Sequence, residues 1–143
     1  MVEVRLAEKE ADRRACLRLR WTVFVQEQNV PPSLEVDADD SSGAVHALAL
    51  RHGVPAGAGR FVFVEPGVAR IGRMAVMDDA RGNGIGTALL RFLEDEARKR
   101  GARLFTLNAQ VSARRFYEKA GYQAIGAIFD DANIPHVRMD RPA

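Results

Sequence analysis

The chain has 143 residues, with 21 Lys and Arg against 19 Asp and Glu, a net charge of +2 and one cysteine. This length holds one domain with a core of its own, and the near-balance of charge excludes the basic footprint of a nucleic-acid binder. The lone Cys16 excludes an internal disulfide framework, and no apolar run approaches the ~18 residues of a membrane span, so a cytoplasmic protein is expected.

Val2 opens a short first strand over 2–6. Ala11, Ala15, Leu17, Leu19 and the Trp21-Thr22-Val23-Phe24 run then predict a helix over 8–25. Arg13, Arg14, Arg18 and Arg20 lie beside Glu8, Glu10 and Asp12 and read as its solvated face. Asn29-Val30-Pro31-Pro32-Ser33 breaks the helix, and 35–43 is acidic and loop-like. Strands follow over 45–51 and 60–64, joined by a Gly/Pro connection over 52–59. Glu65-Pro66-Gly67 turns the chain into a strand over 69–76. A helix over 85–100 is expected to carry three i,i+4 pairs, Glu94/Arg98, Asp95/Lys99 and Glu96/Arg100, and Gly101 ends it. A buried strand over 104–109, a short helix over 113–120 and closing strands over 122–129 and 136–140 complete a mixed α/β order. His46, His52 and His136 have no metal-ligand spacing among themselves or with Cys16, so no metal is expected.

The segment Arg81-Gly82-Asn83-Gly84-Ile85-Gly86-Thr87 joins a strand to the start of a helix. That arrangement aims several backbone N–H groups at one anion, with the helix N-terminus adding partial positive charge and Arg81 a full one. A phosphate or pyrophosphate is the expected ligand. A P-loop would need a lysine before Thr87, and a dinucleotide fingerprint would need G-x-G-x-x-G and an acid roughly 20 positions on; neither is present. A ligand-free glycine turn is the plain structural alternative.

Arg81 to Gly86 also match, position by position, the R/Q-x-x-G-x-G loop of the GNAT-superfamily N-acetyltransferases. Phe116-Tyr117-Glu118-Lys119-Ala120-Gly121-Tyr122 is similar to that family's second motif, and the two occur in the family's order. Val23-Phe24-Val25-Gln26-Glu27-Gln28, the acidic run, Leu107 to Gln110 and Ile134-Pro135-His136 further resemble its small ElaA/YjcF-like bacterial branch. The resemblance implies one GNAT-like domain over residues 1–143, with a mixed, mostly antiparallel sheet flanked by helices and splayed between its fourth and fifth strands.

It also implies acetyl-CoA as cosubstrate. The pyrophosphate is then expected on the N–H groups of Gly82, Asn83, Gly84, Ile85, Gly86 and Thr87, near Arg81, and the pantetheine arm along Met74, Ala75 and Val76. The Val76 N–H would polarise the thioester carbonyl, and Tyr117 would protonate the departing thiolate. Many family members carry Asn seven residues before that tyrosine, where this chain has Gln110, with Asn108 two residues earlier. Either could make the cofactor contact.

An amine acceptor arrives mostly protonated, so some group must take its proton. Glu27, Glu35, Asp37, Asp40, His46 and His136 are candidates, and the family's acceptor pocket favours Glu27, Asp37 and His46. The expected partner is a small-molecule or peptide amine, with no nucleic acid and no membrane; homodimer formation is left open. The runner-up function is a non-catalytic acyl-CoA-binding module, and behind it an interaction domain.

Overall fold

The computed structural model describes residues 2–35 and 43–143. In chain order it holds β1 (Val2–Leu6), α1 (Glu10–Arg20), α2 (Pro32–Glu35), β2 (Val45–Arg51), β3 (Val54–Glu65) and β4 (Val68–Val76). Then come α3 (Ile85–Lys99), β5 (Leu104–Gln110), α4 (Arg114–Lys119), β6 (Gln123–Asp131) and β7 (Ile134–Pro142). The strands form one sheet in the order β1-β2-β3-β4-β5-β7-β6. Every neighbouring pair is antiparallel except β4 and β5. Those two run parallel and pair only at Val68↔Leu104, Ala69↔Phe105 and Arg70↔Thr106. From Ile71 onward they part, which is the splay the family resemblance implies. Among the described residues, no helix is long and apolar enough to cross a membrane.

Apolar residues alternate along the strands, so the sheet buries both faces. Ala47, Ala49, Phe61, Ile71, Phe105 and Leu107 pack under Leu89, Leu90 and Leu93 of α3. Leu48, Leu50, Ala58 and Ala75 pack on the other face against Ala15, Cys16, Leu19, Val23 and Phe24. Burial pushes the Cys16 thiol up to about 11, which leaves it a core residue rather than a nucleophile.

Several expectations are corrected. The predicted connection over 52–59 shrinks to His52-Gly53, whose φ values of 53° and 77° make a tight hairpin turn. Gly57 and Gly59 belong to β3 because α3 lies directly on them. A Cβ at Gly57 would sit 2.8 Å from Leu89 Cδ1 and 3.0 Å from Ile85 Cγ2. Overpacking of this kind costs about 1–3 kcal/mol, so Gly57→Ala should lower the melting temperature by several degrees. An unchanged thermal melt would mean that α3 does not pack this closely.

The first helix does not run unbroken to residue 25. α1 ends at Arg20, and Trp21–Glu27 continues as a π-helix, in which Gln28 N–H donates to Val23 O at 3.1 Å. Arg20 is not on a solvated face: its side chain is 1% exposed and its Nε donates to Glu35 Oε1 at 2.6 Å. Glu35 in turn leaves the expected loop to close α2. Glu94 is likewise buried, taking bonds from Arg91, Arg141 and the Tyr122 hydroxyl instead of pairing with Arg98. Of the three expected i,i+4 pairs, Glu96/Arg100 forms, whereas Arg98 turns to Asp95 and Lys99 to Glu96. Fully buried charges survive when every one is paired, and both clusters meet that condition.

Candidate active site

The splay opens a cleft of about 470 Å³ between β4 and β5. Its geometry begins with a break in β4. The β3–β4 register shifts between Ala58↔Ala75 and Arg60↔Gly72, and Arg73 takes a left-handed φ of 50° at that bulge. Beyond the bulge, Met77 N–H bonds Ala56 O at 2.9 Å, so by strand alternation Val76 aims its N–H and C=O away from β3. The Val76 carbonyl accepts from Arg81 Nε at 3.1 Å on that side, as this alternation requires. The sheet supplies no β5 partner beyond Arg70, so the edge carrying Met74, Ala75 and Val76 faces the cleft.

A second hollow of about 330 Å³ continues past Val76 and is lined by Arg81, Gly82, Gly84, Ile85, Gly86 and Thr87 over Phe116. Gly82 and Gly84 adopt φ values of 81° and 75°, and a Cβ on either would meet no atom within 4 Å. The glycines here therefore serve the backbone turn and leave open space above it. Gly84 caps α3 without a side-chain bond, and the first-turn amides of Ile85, Gly86 and Thr87 point outward with no helical acceptor. This cradle fits a diphosphate. Asn83 does not line it: its Nδ2 bonds Ala80 O at 3.1 Å and Arg81 O at 3.3 Å, which holds the turn.

Arg81 and Glu27 lie on opposite sides of the cleft mouth and meet there. Arg81 Nη1 and Nη2 donate to Glu27 Oε2 and Oε1 at 2.6 and 2.7 Å. The guanidinium holds the Glu27 carboxyl below the usual carboxylate range, which makes Glu27 a poor proton acceptor. The π-helix delivers Glu27 to this position. Its neighbour Gln28 accepts from Gln110 Nε2 at 2.8 Å, so Gln110 is tied to that helix while Asn108 lines the cleft with a side-chain amide that has no partner among the described residues.

Tyr117, on α4, also lines the cleft. Its ring is held edge-on between Phe116 and Tyr122, and burial pushes its phenol up to about 12. No described protein group bonds its hydroxyl, yet no side-chain polar atom among the described residues is both buried and unsatisfied. The hydroxyl therefore opens into the cleft as a free donor.

The remaining expected residues separate. Asp37 lies outside the described residues. His46 sits on β2 opposite Arg60, with all of β3 between it and β4, and it does not line the cleft. The family resemblance favours His46 for the acceptor pocket, and the strand order sets it apart from this cleft. The cleft wall includes residues that reasoning missed, notably Arg73, Leu34 and Asp131. An isolated glycine before Arg73 was the one available signal of the bulge.

The comparisons agree with this geometry. Residues 7–142 match the family model described as an acetyltransferase (GNAT) domain. The uncharacterized N-acetyltransferase YjcF of Bacillus subtilis (strain 168) is 36% identical over 135 residues, covering 94% of this chain and 95% of YjcF. The crystal structure of Escherichia coli ElaA superposes with a TM-score of 0.87 at 26% identity, covering 99% of each chain. An acyl-CoA N-acyltransferase from Pseudomonas aeruginosa superposes with a TM-score of 0.84 at 30% identity, over 99% of this chain and 98% of that one. Sheet order, splay, glycine loop and sequence similarity together place this chain in the GNAT acetyltransferase family, within its ElaA/YjcF-like branch.

Proposed function

We propose that the protein transfers the acetyl group of acetyl-CoA to a primary amine of a small molecule or peptide, by direct attack of the amine on the thioester. The observation that carries this reading is the continuous path from the open edge of β4 at Val76 into the cradle at Gly82 to Thr87. An extended pantetheine arm can pair with that edge as an added strand would, while the diphosphate lies on the first-turn amides of α3. The Pseudomonas aeruginosa neighbour is called an acyl-CoA N-acyltransferase, and the same donor class is proposed here.

Each chemical demand of the transfer has a group assigned to it. The Val76 N–H stabilises the oxygen of the tetrahedral adduct, a contribution of about 3 kcal/mol for one well-aimed donor. The Tyr117 hydroxyl protonates the thiolate as the C–S bond breaks. Asn108 supplies the cofactor amide contact, since Gln110 is engaged with Gln28. Asp37 is assigned to the acceptor side, where negative charge attracts an ammonium, and Glu27 stands on that side already paired with Arg81. Glu27 acts there as a wall of the mouth rather than as a base.

The alternative is a module that binds acyl-CoA without turnover. Thiol release from acetyl-CoA, measured across a panel of primary amines, separates the two. Release above the blank, with acetyl found on the amine, is the expected result. Saturable acetyl-CoA binding without release on any amine would favour the binding module.

A further inference from the structure

The two faces of the split sheet carry different chemistry. On β5, Phe105, Leu107 and Ala109 belong to the core under α3, and Tyr117 packs in that same core. Thr106, Asn108 and Gln110 alternate with them and face the other way. Their β7 partners Asp140, Arg138 and His136 share that opposite face, as the Thr106 Oγ1 bond to Asp140 Oδ1 at 2.6 Å requires. Tyr117 and His136 therefore belong to opposite faces of the sheet, and both reach the cleft through the splay.

His136 is held in one orientation. Its ring stacks on Phe129, with centroids 5.9 Å apart, and its Nδ1 lies 2.7 Å from Ile134 O. A carbonyl oxygen can only accept, so Nδ1 carries the proton and the neutral ring keeps a lone pair on Nε2. No described group bonds that nitrogen. Among the described residues, the other carboxylates lining the cleft are committed, Glu27 to Arg81 and Glu35 to Arg20. Asp131, on the same hairpin, lines the cleft with no hydrogen-bond or ion-pair partner among the described residues.

From this arrangement we infer that His136 Nε2 is the group that takes the proton from the acceptor amine, with the Asp131 carboxylate drawing the ammonium toward it. The inference rests on the proposed acetyl transfer and names the base for it. The ammonium gives one proton to Nε2, and its freed nitrogen forms a C–N bond to the thioester carbonyl carbon. Collapse of the adduct breaks the C–S bond, and the thiolate takes the Tyr117 proton. The tyrosinate recovers a proton from the nitrogen of the new amide, and the imidazolium returns its own to solvent. Ammonium and thioester thus yield amide, thiol and one proton. Donation to the leaving group comes from one face of the sheet and abstraction from the other, so neither group has to cross the scissile bond.

His136→Asn isolates the function, because the Asn amide can still donate to Ile134 O from the Nδ1 position but has nothing in place of Nε2. General-base losses run at about 10²–10⁴-fold, so kcat on an amine found by the thiol-release panel should fall at least ~100-fold. Acetyl-CoA affinity by calorimetry should stay within about twofold, and added imidazole should restore a large part of the rate. A His136→Asn enzyme that turns over like wild type would overturn the inference while leaving the acetyl-transfer reading intact. So would a loss that imidazole does not restore, since that pattern belongs to a merely structural ring. A wild-type protein that binds acetyl-CoA but releases thiol with none of the amines would instead remove the transfer reading itself, and this assignment with it.

Discussion

Gly84→Asp should abolish acetyl-CoA binding, with a fall in affinity of 100-fold or more by calorimetry. Three effects act together at this position. The φ of 75° is a conformation that costs a non-glycine residue, although aspartate tolerates it better than most. The space above the Cα is open, so the new side chain folds without clash and projects into the cradle. Its carboxylate then sits where the diphosphate approaches, and two like charges at contact oppose each other in a partly desolvated hollow. Gly84→Ala separates the effects: it adds strain and a methyl group but no charge, so it should lose much less. Undiminished affinity in a folded Gly84→Asp protein would remove the loop from the cofactor site.

Tyr117→Phe should cut kcat by about 10²-fold or more with little change in acetyl-CoA KM. The ring makes its edge contacts with Phe116 and Tyr122 through carbon, so phenylalanine keeps the packing and the loss reports the hydroxyl. The same geometry sets a pH expectation. An acid catalyst works while protonated, so its rate falls as pH rises through its own ionisation. Burial moves that point from the usual ~10 to about 12, and kcat should show no alkaline fall from Tyr117 up to pH ~10. The linked stability effect has the same sign. A phenol whose ionisation is raised by folding contributes stability that is complete below ~10 and is lost as pH climbs through 12. The Tyr117→Phe protein should therefore lose less stability over that alkaline range than wild type. A variant with wild-type kcat would show that solvent or another group protonates the thiolate.

The sequence signals for the proposed donor half of the site are local. A glycine that must turn at positive φ, a strand before it and an amphipathic helix after it lie within one short stretch, and the tyrosine motif is equally compact. The acceptor half was not legible for the opposite reason. His136 and Gln110 meet only because β7 inserts between β5 and β6; the sequence offers His136 as one of six candidate bases, and the resemblance favours His46, which the strand order separates from the cleft. Arg20 and Glu94 read as surface residues because charged side chains rarely bury without partners, and their partners are distant in sequence. The π-helix left no signal to read, because Trp21, Val23 and Phe24 continue the apolar run of α1 and a change from four- to five-residue bonding carries no period of its own over so short a stretch. In β3, Pro55, Gly57 and Gly59 look like a loop. The proline sits at a bulge opposite Leu50, and the glycines are the space α3 requires.

Amide hydrogen exchange with and without saturating acetyl-CoA tests the central reading most directly, because it reads both halves of the proposed cofactor path at once. Peptides covering residues 74–76 and 82–87 should gain protection, while the β2 peptide containing His46 should stay unchanged. Protection that falls elsewhere, or none at saturating ligand, would contradict a cofactor path running from the edge of β4 into the glycine cradle.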